Sequence, residues 1–230
     1  MLSQSREIIE RHVKTHTERS AEDVAAISTI EFFFRSDGKI NTNFVKNDKW
    51  PNTDGTFEFV PNPEIDRRPK HSFIVQVKGT HSYTETSEGI KYSLKSLAFP
   101  AFIATDVTLD PGLLIIVLNP DIRGQERIFY KYMSVEFINS IDFNKESTAI
   151  NFTADEEILN TDESINSFCK KLESVKRRGT SDEEYGKLID VLADIFNRNC
   201  EERVNRYKAI IENHYSFWKE NPNLEKPIRI

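Results

Sequence analysis

At 230 residues, with a formal net charge of -6 and 38% apolar, 30% charged and 11% aromatic side chains, the chain has the composition of an ordinary globular protein, which excludes wholesale disorder and fibrous repeats. No apolar run approaches the ~18 residues needed to cross a bilayer, and Met1 to Arg19 is charged throughout where a secretory signal would be apolar, so a cytoplasmic protein without a membrane span is expected. The acidic balance argues mildly against nucleic acid as a partner, an inference that local charge has to decide.

Taken in order, Met1 to Arg19 mixes charges with Ile8, Ile9 and Val13 and predicts an exposed helix or frayed arm with little function in it. Ser20-Ala-Glu-Asp23 has the form of a helix N-cap with a carboxylate three residues later. Val24, Ile27, Ile30, Phe33 and Phe34 follow at helical spacing, so a helix from about 21 to 35 is predicted. Ser36-Asp-Gly38 stops it. Three β-rich segments follow, Ile40 to Lys46, Gly55 to Val60 and Ser72 to Lys78, separated by Asn, Pro and Asp clusters. The next stretch is polar to about Lys95, and Ser96 to Leu109 reads as a helix with Pro100 near its first turn, where a missing N–H is tolerated. Gly112 to Leu118 is continuously apolar between Pro111 and Asn119-Pro120, the pattern of a strand buried on both faces, with Ile128 to Met133 beside it.

From about residue 154 the composition shifts to helix formers. Ser181-Asp-Glu-Glu184 forms another capping box, and Tyr185, Leu188, Leu192, Ile195, Phe196, Val204, Tyr207, Ile210, Ile211 and Trp218 recur at three- and four-residue steps until Pro222. Two parts are therefore expected: residues 1–153 as the main domain, with its core from about 20, and 154–230 as a helical appendage for oligomerisation or for linkage to a further module. Cys169 and Cys200 are the only cysteines and provide neither a disulfide framework nor a zinc site. No phosphate-binding glycine loop of the G-x-x-x-x-G-K-[ST] or G-x-G-x-x-G type occurs.

The residues that carry chemistry lie in the helix-and-meander region. Asp54 stands at a turn-to-strand junction, approached through Trp50-Pro51-Asn52-Thr53. Strand alternation puts Gln76 and Lys78 on one face of their segment and Val75 and Val77 on the other. An ammonium on such an apolar strand needs a partner or a task, because an unpaired buried charge is costly. On a helical wheel Glu22 falls within about 40° of Ala26 and about 20° of Phe33, which places it toward the core. Glu31 is the competing helix carboxylate, with Arg35 at i+4 for an ordinary ion pair. Each feature also has a plainer reading: Asp54-Gly55 as a turn, Glu22 as a favourable charge at a helix N-terminus, Glu58 as a solvated strand carboxylate, and His71 and His81 as surface groups.

The order helix glutamate, Asp54 at a strand start, Gln76-Val-Lys78 on the next strand, then helix and buried strand resembles the PD-(D/E)XK, or restriction-endonuclease-like, superfamily. Within it, Asp48 to Gly55 and Val75 to Thr80 are similar to an uncharacterised bacterial domain family found at the N-terminus of phage-defence proteins. The resemblance spans roughly Ser20 to Phe152, with two departures: the motif proline is Pro51, three residues before Asp54, and the second acid is Gln76, a substitution found in a recognised variant of the superfamily. It implies an α/β fold with an α-β-β-β-α-β core, a mixed central sheet flanked by helices. It also implies a Mg²⁺-dependent (or Mn²⁺-dependent) deoxyribonuclease serving anti-phage defence.

On that reading Asp54, Gln76, the Val77 carbonyl and Glu22 hold the metal, and Lys78 orients or helps deprotonate the attacking water. Mg²⁺ prefers such oxygen ligands. Homo-oligomerisation and a C-terminal sensor or NTPase module in a longer protein are further implications. Between residues 67 and 95 the basic groups Arg67, Arg68, Lys70, Lys78, Lys91 and Lys95 face only Glu85 and Glu88, a local balance of +4. Arg67, Arg68, Lys70, Lys91 and Lys95 are therefore the expected DNA contacts on one face. The alternatives are a catalytically inactive endonuclease-like module that binds nucleic acid or a protein, and a helical scaffold whose β-rich part is structural.

Overall fold

The continuous apolar run Gly112–Leu118 is the central strand, and every one of its seven residues is buried. Leu113, Ile115 and Val117 enter one hydrophobic core, while Leu114, Ile116 and Leu118 enter a second on the opposite face. Each such side chain contributes about 2 kcal/mol by burial. In this computed structural model residues 4–14, 19–35, 38–45, 52–105 and 110–175 are described, together with 208–213, 216, 219 and 220.

Five α-helices, one short 3-10 turn (Ala154–Glu156) and nine strands occur among the described residues up to Val175. The helices and strands are α1 (Arg6–Glu10), α2 (Ala21–Phe34), β1 (Ile40–Phe44), β2 (Gly55–Phe59), β3 (His71–Thr80), β4 (Thr84–Thr86), β5 (Gly89–Leu94), α3 (Ala98–Thr105), β6 (Gly112–Leu118), β7 (Arg127–Tyr132), α4 (Val135–Ser140), β8 (Thr148–Thr153), β9 (Glu157–Ile158) and α5 (Asp162–Ser174). The main sheet has the order β1-β2-β3-β6-β7-β9. It is mixed, because β6 runs parallel to β3 while the other neighbours pair antiparallel. Helices α2 and α5 pack on one face. Helices α1, α3 and α4 and a second sheet of order β4-β5-β8 cover the other. The chain is therefore mixed α/β, with a mixed central sheet flanked by helices. No helix among the described residues is long and apolar enough to cross a membrane.

Several expectations change. The polar stretch before Lys95 contains the β4–β5 hairpin; Ile90, Tyr92 and Leu94 alternate with polar residues and turn inward. Met1 to Arg19 is not simply an exposed arm, since Ile9 on α1 is buried in the second core. Val24 is exposed, and the buried stripe of α2 is Asp23, Ala26, Ile27, Ile30 and Phe34.

The composition change at residue 154 is not a domain boundary. Ile158 pairs with Ile128 of β7, and α5 buries Ile165, Phe168, Cys169 and Leu172 in the first core. Phe168 lies against Phe34 and Tyr130, with ring centroids 5.8 and 4.7 Å apart. By compactness the first unit runs on to Val175, and residues 176–230 belong to a second. In that second unit residues 208–213 are helical; the capping box at Ser181 and most of the apolar repeat after it lie outside the described residues.

Candidate functional site

Strand β2 begins at Gly55, opposite Val75, so β3 continues alone on that side from Gln76 to Thr80. Alternate residues of a strand present N–H and C=O to the same side, and here polar side chains replace the missing strand. The Val75 carbonyl accepts from the Asp54 N–H and the Thr53 hydroxyl, both at 2.8 Å. The Val77 N–H donates to Asp54 Oδ2 at 2.8 Å, and the Gly79 N–H donates to Asp23 Oδ1 at 3.0 Å. Two carboxylates thus stand where backbone carbonyls would otherwise be.

Asp54 is 4% exposed. Its Oδ2 also accepts from the Gln76 side-chain amide, and its Oδ1 accepts from Arg19 Nε at 2.9 Å. Arg19 reaches the Val45 carbonyl as well. Burial pushes the Asp54 carboxyl above the ordinary carboxylate range, opposed by the Val77 N–H and by the charges of Lys78 and Arg19. The glycine after Asp54 has its own reason: at φ 153° it passes so close to β1 that a Cβ would lie 2.2 Å from the Asn43 carbonyl oxygen.

Lys78 Nζ pairs with Asp23 Oδ2 at 2.7 Å, the lysine side chain 28% and the aspartate side chain 7% exposed. Asp23 is the third residue of α2, whose first turn is capped by the Asp23 N–H bonding to Ser20 Oγ at 3.1 Å. A capping-box carboxylate would turn back to the N-cap N–H; Asp23 turns forward to β3 instead. Gly79 permits this approach, since a Cβ there would fall 2.1 Å from the Glu22 carbonyl oxygen. Tyr92 of β5 is buried, and its hydroxyl is pushed up to about 12 by burial and then by the charges of Asp23 and Glu22.

The structure therefore brings Asp54, Gln76, Val77 and Lys78 together, and it corrects the helix carboxylate. Glu22 is exposed, because it lies about 100° around the helix from the centre of the buried stripe, and that centre is Asp23. Glu31 is two turns further along α2, lining a recess at β1 with Glu58 and Asn41. The basic window does not form one face. Arg67, Arg68 and Lys70 lie before β3, about 20 Å of extended strand from Gln76. Arg68 pairs with Asp66 at 2.7 Å and Lys70 with Glu173 at 2.9 Å. Lys91 lies on β5 of the second sheet and Lys95 just beyond it, both exposed.

Two site residues escape a reading of the sequence: Arg19, placed in an arm without apparent function, and Asp23, hidden by its capping pattern. The signal for Asp23 was a carboxylate at the centre of the stripe Ala26, Ile27, Ile30 and Phe34.

No group of three or more His, Cys, Asp or Glu side chains among the described residues comes together as a metal site. The oxygen donors around Gln76 at the opened edge are the Asp54 carboxylate, the Gln76 carboxamide oxygen and the Val77 carbonyl, while the Asp23 carboxylate further along is engaged by Gly79 and Lys78. Mg²⁺ binds through one or two carboxylates and keeps several waters, so this set suits Mg²⁺ or Mn²⁺ and does not suit zinc. Gln76 presents its NH₂ to Asp54; the opposite amide orientation sets two oxygens side by side, which is unfavourable for an ionised Asp54 unless a cation lies between them. Compared with known proteins, the chain matches no family model and has no significant match among curated proteins or solved structures.

Proposed function

We propose that the chain is a metal-dependent deoxyribonuclease of the PD-(D/E)XK type, and the observation that carries this reading is the convergence of Asp54, Gln76 and Lys78 where β3 loses β2. The element order α2-β1-β2-β3-α3-β6, with β6 parallel beside β3, supports a restriction-endonuclease-like core with the β4–β5 hairpin inserted. Asp54, Gln76 and the Val77 carbonyl would hold Mg²⁺ or Mn²⁺, which when bound neutralises charge developing on the phosphate and acidifies water. Lys78 orients the water and donates hydrogen bonds to the non-bridging phosphate oxygens as the water oxygen bonds to phosphorus and gives up its proton to solvent. The bond from phosphorus to the sugar oxygen breaks, and that oxygen leaves with a proton from solvent. Asp23 is a positioning residue that fixes Lys78 Nζ. Cutting both strands needs two such sites, the reason to expect self-association. A cytoplasmic location is part of this proposal, and service in phage defence follows from the family resemblance alone.

The test is incubation of purified protein with supercoiled plasmid and Mg²⁺ or Mn²⁺. Lys78→Ala is expected to slow cutting at least about 100-fold, and unchanged cutting overturns the assignment. A second reading, a catalytically silent module that binds nucleic acid or a protein, is favoured by one observation: among the described residues Asp54 is the one carboxylate bonded to Gln76, and both its oxygens are engaged by Arg19, Gln76 and Val77. Calorimetric titration with Mn²⁺ separates the two, absence of binding selecting the silent module.

A further inference from the structure

A second polar recess lies where the N-terminal segment meets the end of β5. It has a volume of about 100 Å³ and is lined by Arg11, His12, Lys14, Lys95, Ser96 and Glu146, with Leu97 as its apolar floor. We propose that this recess binds a backbone phosphate of the nucleic-acid strand whose scissile phosphate sits at Asp54, an inference that rests on the nuclease reading.

The recess is held by fixed parts of the fold. Asn52, 3% exposed and at φ 71°, clamps Lys14 in both directions. The Lys14 N–H donates to its Oδ1 and its Nδ2 donates to the Lys14 carbonyl, each at 2.8 Å. His12 Nε2 lies 2.7 Å from the Phe143 carbonyl oxygen, and buried Ile9 anchors α1 just before it. Asn52 precedes Asp54 by two residues, at most about 7 Å of chain, so the recess is tied to the loop that carries the candidate metal ligand.

Its chemistry selects a phosphate. Arg11, Lys14 and Lys95 bring three positive charges against Glu146, and Arg11 is only loosely held by Glu7 at 3.7 Å. Unlike Lys70 and Arg68, neither the Lys14 nor the Lys95 ammonium makes an ion pair among the described residues. A volume of about three waters accommodates one phosphate group. Among the described residues no Phe, Tyr or Trp lines the recess, and its one ring, that of His12, is tied to the Phe143 carbonyl, so charge rather than base stacking dominates the lining. The footprint of the strand is therefore Arg11, Lys14 and Lys95 rather than the Arg67 to Lys70 end of β3.

The experiment is fluorescence anisotropy of the full chain with a labelled 20-base-pair duplex in EDTA over a salt series. Lys14→Glu with Lys95→Glu is expected to weaken binding at least about tenfold and to lower the slope of log K against log salt by about 1, since one phosphate contact contributes about 0.9. Glu146→Gln is expected to tighten binding a few-fold. Arg67→Glu with Arg68→Glu, an equal charge change at exposed positions, is expected to leave the slope unaltered. The inference is overturned by a wild-type chain that does not bind the duplex, by a Lys14/Lys95 variant with unchanged slope, or by an Arg67/Arg68 variant that loses as much. Failure of the nuclease reading shows separately, as plasmid that stays uncut with Mg²⁺ or Mn²⁺ by the wild-type chain.

Discussion

The two ends of β3 use the same kinds of residue to different effect. At the His71–Phe73 end β2 is in place, pairing through Phe57 to Phe59, and β6 joins on the other side only from Ile74. The charges there, Lys70 with Glu173 and Arg68 with Asp66, form exposed pairs at the rim. At the Gln76–Thr80 end β2 has stopped, and Asp54 and Asp23 accept the Val77 and Gly79 N–H groups from buried positions. Exposed ion pairs contribute little, whereas a carboxylate fixed by backbone N–H groups in a water-poor cleft is ordered for chemistry before any ligand arrives. An opened sheet edge thus creates both the need for polar partners and the place for a site.

Four effects test that contrast, from the largest down. Asp54→Ala is expected to lower plasmid cleavage at least about 1,000-fold and to abolish the heat of Mn²⁺ binding, because Asp54 is the charged ligand proposed for the metal. Residual cleavage near the wild-type rate would detach the opened edge from the activity. Asp23→Asn keeps the shape but removes the charge that holds Lys78. We expect a 10- to 100-fold loss in kcat with KM little changed, and about 2 kcal/mol lower stability in urea unfolding. Glu22→Gln, one residue away but exposed, should leave both quantities as they were.

Third comes an alkaline effect. Tyr92 ionises near 10 in an unfolded chain and near about 12 in the fold, where burial and the helix carboxylates disfavour its anion. The folded state keeps the proton while the unfolded state loses it, so stability present below pH 10 falls by about 2 kcal/mol as pH rises toward 12. Tyr92→Phe should flatten that part of the decline, as followed by urea unfolding at pH 8 to 11.5. Smallest is Lys70→Ala: breaking an exposed pair should change stability by no more than about 0.5 kcal/mol. A loss comparable to that of Asp23→Asn would erase the difference between the two ends.

Much of this layout was legible in the chain. Seven apolar residues between prolines announce a strand buried on two faces, and alternation puts Gln76 and Lys78 on one face, as found. Other features depend on what lies across the fold. Helix α5 has a regular apolar stripe, Ile165, Phe168, Cys169 and Leu172, but a stripe does not name the surface it covers, so a composition change read as a domain boundary conceals a helix of the first core. Asp23 satisfies a local capping pattern, and its true partners, Lys78 and Gly79, lie more than 50 positions away. Arg19 has no local signal at all. Its role exists only because the segment before α2 passes the mouth of the β2–β3 opening.

The account rests on Asp54, Gln76 and the Val77 carbonyl holding a divalent cation, and anomalous diffraction from a crystal of this chain soaked in Mn²⁺ tests that most directly. The expected result is an anomalous peak between Asp54, the Gln76 carboxamide oxygen and the Val77 carbonyl, with the Gln76 amide reversed and Arg19 withdrawn from Asp54 Oδ1. No peak at the opened edge, with Arg19 and the Gln76 NH₂ still on the Asp54 carboxylate at saturating Mn²⁺, would contradict it.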